Sequence, residues 1–225
     1  MSTTAITPKI ITQAQLDDLA VFPLPGAVFF PHTLLPLHIF EPRYRQMVTD
    51  ALEEEAPIAV TLLRPGYERE YEGRPDIHTV AGIGHIVHHE RMADGRFNIV
   101  LQGAGRVRIA EEHPPQKLYR RVRASLLEDD LQNTQAIAEQ MSTLRGCVFG
   151  LGNLRPRLAG LLSKRLSTLT DPAALSDNIC SLLLPDHDIR QAMLEQLRVD
   201  VRLQTVNAVL TEVLLDSSDD PSLMN

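Results

Sequence analysis

Short apolar runs punctuated by proline and glycine fill the first half of the chain, and longer stretches of helical period fill the second. The densest patterning lies in residues 22–52, FPLPGAVFFPHTLLPLHIFEPRYRQMVTDAL. An apolar run broken by Pro23 and Pro25 turns at Gly26, resumes as Ala27-Val28-Phe29-Phe30 and stops at Pro31, pieces too short for a helix that read as strand, turn and strand. A second run covers residues 34–40, after which the period changes. Tyr44, Met47, Val48, Ala51 and Leu52 recur at helical spacing on one face of a helix with Pro42 at its first position. Residues 58–62 read as a buried strand ended by Arg64-Pro65-Gly66, and the polar residues 67–76 as an exposed loop.

A strand is expected over residues 78–92, with Gly82 and Gly84 marking a bend, bulge or close backbone approach. Ala93-Asp94-Gly95 makes a hairpin from which residues 97–101 return. A second bend at Gly103 and Gly105 precedes the alternating Val107 and Ile109, and residues 119–127 supply one more strand. Ahead of all this, residues 1–20 form a loose arm with a helical turn at 12–19. Short strands with glycine bends and one early helix suit a small twisted barrel of about six strands.

After Glu128-Asp129-Asp130 the character changes, which sets the expected domain boundary: a barrel over 1–127, helices over 128–216 and a disordered, acidic tail over 217–225. Ile137, Met141, Leu144, Val148 and Phe149 keep a helical period as far as a break at Gly150-Leu151-Gly152-Asn153. A second helix carries Leu158, Leu161, Leu162 and Leu166. Asp171-Pro172 caps and starts a third, and Pro185-Asp186 restarts the chain into a fourth. A last helix holds Val206, Val209, Leu210, Val213 and Leu214. The fold class expected is α+β.

FPLPGAVFFP followed by LPLHIFEPRYRQMV resembles the opening signature of the Lon protease amino-terminal domain, the LON substrate-binding domain. The likeness continues through Val80-Ala81-Gly82-Ile83-Gly84, Asp94-Gly95-Arg96-Phe97 and Gly103-Ala104-Gly105-Arg106-Val107-Arg108-Ile109, and more weakly over residues 171–210. It implies a PUA-like β pseudo-barrel followed by a C-terminal α-helical bundle. One departure stands in the tail, where Arg198 occupies a position that Lon-like sequences give to an Asp, with Asp200 two residues later. The full protease carries an ATPase module and a Ser-Lys proteolytic domain after the matched region, and this chain ends without either. The resemblance therefore implies recognition without catalysis: a stand-alone module for unfolded or exposed peptide segments, or for a protease or chaperone partner. Phe29, Phe30, Pro31, His32 and Leu35 are the first candidates, because consecutive phenylalanines on one strand cannot both face inward. They would line a groove between barrel and helices, with Tyr44 packing near by and its hydroxyl reaching out. A small-molecule pocket is the alternative, because the same barrel family includes an imide-binding adaptor of a ubiquitin ligase; the zinc-bearing C-x-x-C pairs of that adaptor are absent here.

Charge narrows the partners. The chain carries 22 Lys+Arg against 29 Asp+Glu, a formal net charge of -7. Residues 1–125 hold 14 basic and 15 acidic groups, so the barrel lacks the basic excess that nucleic-acid binding requires, although PUA-like folds bind RNA elsewhere. No signal-peptide pattern opens the chain and no window approaches the roughly 20 apolar residues of a membrane span, which points to the cytoplasm. The two cysteines, Cys147 and Cys180, show no disulfide spacing. Pairing of two copies through barrel edges is left open.

No catalytic, metal-binding or cofactor-binding residue is expected. His85, His88 and His89 share a strand with Glu90, but alternation sets His88 opposite the other two, so a shared ion would need a bulge. Gly103-Ala104-Gly105 leads into a strand pattern, not the helix that a dinucleotide loop needs, and no phosphate-loop motif occurs. Ser163 and Lys164 are adjacent on a helix and point about 100° apart, so neither can serve the other. A hydrolase built on His85 or His88 with Asp94 lacks an organised nucleophile.

Overall fold

The structure is a computed structural model and describes residues 10–69 and 73–218. The chain divides between Leu127 and Glu128 into two compact units. The first opens with the short helix α1 (Gln13–Asp17), where Thr12 and Gln15 cap each other's backbone reciprocally. It continues with β1 (Leu19–Leu24), β2 (Leu34–Ile39), α2 (Pro42–Glu53), β3 (Ile58–Leu62), a 3-10 turn at Tyr67–Arg69, β4 (Val80–Arg91), β5 (Phe97–Glu112) and β6 (Arg120–Leu127).

The six strands lie in the order β2-β5-β4-β3-β1-β6, and β6 returns to pair with β5. Strands β5, β4, β3, β1 and β6 thus close a ring, with β2 attached to β5. The residue pattern suggests two strands around Gly103 and Gly105; the structure has a single β5 of 16 residues whose halves serve different neighbours. Its first half pairs with β2, from Ile39↔Phe97 to Leu34↔Gln102, and its second with β6, from Arg106↔Leu127 to Glu112↔Val122. Register shifts at Ile83/Gly84 and Ile109/Glu111 give the curvature that closure requires.

Two apolar clusters fill this unit. All five ring strands contribute to one, through Leu19, Val21, Ala59, Ile83, Val107 and Val122 among others. The other joins Tyr44, Met47, Val48 and Ala51 of α2 to Phe22, Ile58, Val60 and the first half of β5. Strand β3 serves both faces, which is why it reads as an unbroken apolar run rather than an alternation.

Residues 27–30 are not a strand. They lie across the sheet, on the side to which the Gly82 and Gly103 side chains would point. A Cβ at Gly82 would stand 2.7 Å from the carbonyl carbon of Phe29, and one at Gly103 would stand 3.0 Å from that of Phe30. Chain that rests on a sheet is not bound by strand alternation, so Phe29 and Phe30 are both inside, 1% and 0% exposed. The turn after them is fixed at Gly103, whose carbonyl accepts from the His32 N–H at 3.0 Å and whose N–H donates to the Thr33 carbonyl at 2.9 Å.

The second unit comprises α3 (Thr134–Leu154), α4 (Pro156–Thr168), α5 (Pro172–Leu183), α6 (His187–Glu195) and α7 (Val199–Ser218). Asp171 and Asp186 cap α5 and α6 through their carboxylates. Helix α7 opens at Val199 with Asp200 in its first turn, held by Arg198 at 2.7 Å. Eight consecutive residues of α5, from Ala173 to Cys180, are buried.

A buried charge cluster joins α5 to α7. Arg202, 0% exposed, donates to Asp129 Oδ1 at 2.7 Å and Ser176 Oγ at 3.1 Å, and lies 3.6 Å from Asp177 Oδ1. Asn207 ties α7 to α3 by donating to the Gln140 carbonyl at 2.9 Å.

Three expectations for this unit are corrected. Helix α3 runs straight through Gly150 and Gly152, because its packing on α7 outweighs a penalty of about 1 kcal/mol per glycine. Phe149 is 89% exposed; the buried stripe is Ile137, Met141, Leu144, Val148 and Leu151, one position off it. Ser217 and Ser218 end α7 instead of starting a tail, and the rest of the expected tail lies outside the described residues.

Candidate functional site

Tyr44 sits in the first turn of α2, 7% exposed, with its ring centroid 4.3 Å from that of Phe22. Glu41 makes no side-chain cap here; its Oε2 accepts from Arg43 Nε at 2.8 Å, and the Arg43 guanidinium lies 4.7 Å from the centroid of the Tyr44 ring. Arg43 and Tyr44 line one wall of a cleft of ≈ 400 Å³. The other walls come from the ends of β1 and β3, from residues 73–75 and from residues 115–120.

Four cations face this cleft: Arg43, Arg74, Lys117 and Arg120. Glu112 binds two of them, Arg74 at 2.6 Å and Arg120 through Nε at 3.0 Å and Nη2 at 2.6 Å, while Arg120 Nη1 donates to the Pro75 carbonyl at 2.7 Å. Asp50 accepts from Lys117 Nζ at 2.7 Å and from the Tyr119 hydroxyl at 2.8 Å. Apolar lining is given by Pro23, Leu63, Pro75 and Leu118, of which Leu118 is 67% exposed.

Burial, reinforced by the bond to Asp50, pushes the Tyr119 phenol up from 10.0 to about 12. The bond to Asp50 also holds Lys117 above the usual lysine range. Absorbance at 295 nm should therefore show one tyrosine titrating near pH 12, and that step should vanish in Tyr119→Phe. The unfolded chain loses this proton first, so Tyr119's contribution to stability is intact below pH 10.0 and declines as pH rises towards about 12.

A second surface lies on the outer face of β2, β5 and β4. Register places Leu34 beside Gln102 and His85, Pro36 beside Val100 and His88, and His38 beside Asn98 and Glu90. The last rung is bonded, with His38 Nδ1 2.8 Å from Asn98 Oδ1 and Asn98 Nδ2 donating to Glu90 Oε2 at 3.3 Å. Leu34 and Phe40 are 64% and 58% exposed, and β2 pairs on one side only. The register shift between Ile86 and His88 is the bulge that simple alternation lacked, and it moves His88 onto the face of His85. Even so, among the described residues no group of three or more His, Cys, Asp and Glu could hold a metal ion.

The structure separates the residues singled out from the sequence. Phe29, Phe30 and Pro31 are interior, which corrects the expectation that one phenylalanine must face outward. His32 is exposed at the turn and Leu35 points partly into the α2 cluster. Tyr44 alone reaches the cleft. The cleft's cations escaped sequence reasoning because they come from segments far apart in the chain. Exposure of Leu34 and Phe40 was legible, had Leu34, Pro36, His38 and Phe40 been taken as one face of β2. Cys147 and Cys180 are both free thiols, and no described helix is long and apolar enough to cross a membrane.

Residues 18–212 match the family described as the ATP-dependent protease La (LON) substrate-binding domain. The chain is 26% identical to Lon protease 2 of Myxococcus xanthus over 93% of its own length and 25% of that protein's, and 27% identical to the Lon protease of Anaeromyxobacter dehalogenans over 85% and 23%. It thus spans about a quarter of the length of these curated relatives. Among solved structures, the N-terminal domain of a Mycobacterium avium complex Lon protease is similar with a TM-score of 0.66 at 19% identity, over 87% of this chain and 99% of that one. A Lon N-terminal domain protein from Xanthomonas campestris is similar with a TM-score of 0.59 at 19% identity, over 85% and 97%. These structures share the fold of a strand-built unit followed by helices, and the match over residues 18–212 means that this chain belongs to the LON substrate-binding domain family.

Proposed function

We propose that the chain is a non-catalytic recognition module that binds exposed or unfolded segments of other proteins. The observation that carries this reading is the row of Leu34 and Pro36 on the edge strand β2 and Phe40 just past its end, all exposed, within a member of a substrate-binding family. An edge strand offers unpaired backbone groups to an extended segment, and apolar side chains beside it add contact area. Phe40 directly precedes Glu41, whose carboxylate holds the cleft residue Arg43. Folded proteins seldom present extended apolar segments, which gives the module its preference for unfolded ones.

Fluorescence anisotropy with reduced, carbamidomethylated ribonuclease A, against the native enzyme as control, tests this. Saturable binding of the unfolded form is expected, weakened about tenfold by Leu34→Ser with Phe40→Ser. Absence of saturation up to roughly 100 µM would count against the proposal. A second reading, a small-molecule pocket, is favoured by the cleft volume of ≈ 400 Å³, within the usual range for such sites.

A further inference from the structure

We propose that the cleft beside α2 receives an acidic residue of the bound segment, so that the module selects peptides in which an aspartate or glutamate neighbours a bulky apolar side chain. This rests on the recognition reading above and adds the chemistry of what is recognised. The chain carries a formal charge of -7, yet four cations converge on this cleft, and among the described residues Glu41, Asp50 and Glu112 are paired with them.

The cations are held unequally. Arg120 spends three N–H groups on Glu112 and the Pro75 carbonyl and is a fixed part of the wall. Arg74 bonds Glu112 through Nη1 with its side chain 38% exposed, and Lys117 gives one bond to Asp50 with its side chain 30% exposed. A guanidinium has five donors and an ammonium three, so both keep donors for an incoming carboxylate without releasing Glu112 or Asp50. The bond to Asp50 also keeps Lys117 charged.

Next to this charge stands Leu118, 67% exposed between Lys117 and Tyr119, and Pro23, Leu63 and Pro75 line the same cleft. An apolar side chain flanking the acid would cover them. The space of ≈ 400 Å³ holds side chains rather than a folded element, which suits an extended segment.

The test uses the full chain and two fluorescein-labelled peptides, identical except that a glutamate between leucine and phenylalanine is glutamine in the twin. The acidic peptide is expected to bind about tenfold more tightly than the twin at low salt, with the gap narrowing as ionic strength rises. Arg74→Gln and Lys117→Gln should each shrink the gap to about threefold or less, with an unchanged far-UV circular dichroism melt, because each side chain is part-exposed. Equal binding of the twins, or an acid preference that survives both variants, would overturn the proposal. Full displacement by free glutarate at the peptide's own concentration would also overturn it, marking a small-acid site. Binding of unfolded ribonuclease A without acid preference would sink this inference alone. Failure of every segment to bind would sink the recognition reading with it.

Discussion

Gly82→Ala should destabilise the first unit by about 3 kcal/mol or more. Gly82 lies in β4, paired with Val60 on one side and Arg106 on the other, so its backbone is fixed from two directions. The carbonyl of Phe29 rests where its side chain would be, with the carbonyl carbon 2.7 Å from an added Cβ. That obstacle is backbone, not the end of a flexible side chain, and it cannot withdraw without lifting Phe29 and Phe30 from the core. Gly105→Ala is the control. Its Cβ would meet nothing closer than the Leu126 side chain at 3.6 Å, an ordinary contact, and a change under about 1 kcal/mol is expected. The chain has no tryptophan, and its four tyrosines all precede residue 128, so tyrosine fluorescence in a urea titration reports the first unit by itself. A Gly82→Ala midpoint equal to that of Gly105→Ala would show that residues 27–30 are not seated on the sheet.

The second large effect belongs to the helical unit. Arg202→Met should cost about 3–5 kcal/mol, the range for breaking a buried ion pair from one side. Arg202 and Asp177 are both 0% exposed, and Arg202 also satisfies Asp129, Ser176 and the Gln196 carbonyl. Methionine fills a similar length but neutralises none of them. Adding Asp177→Asn removes one buried charge, so the double variant should recover part of the loss. Thermal melts followed at 222 nm, where helices dominate the signal, measure both. A double variant no more stable than Arg202→Met would mean that the Asp177 charge is not what the arginine offsets.

Which features were legible follows from the range of the interactions that make them. Helix α2 was read from its apolar period and Pro42, and its buried face is Tyr44, Met47, Val48 and Ala51. The hairpin at Asp94-Gly95 forms because Gly95 takes φ +82 and the Asp94 carboxylate accepts from the Arg96 N–H at 3.1 Å. Asp171 and Asp186 cap helices within three residues of themselves. In each case both partners sit in one short window of chain, so residue identity is nearly the whole of the physics. The candidate surface was barely legible: of six residues chosen from the resemblance, three are interior and only Tyr44 lines the cleft.

The sequence by itself determined the strand-then-helix order, the change of character at residue 128 and the membership of a substrate-binding family, because apolar period, turn chemistry and signature residues are local records. Only the tertiary structure decided that β5 bridges β2 and β6 to close the ring, that residues 27–30 lie on glycines more than fifty positions away, and that Arg74, Lys117 and Tyr44 share a cleft. Alternation tells a side chain which face to take but not which strand will lie beside it. That choice is made by packing between segments remote in the chain.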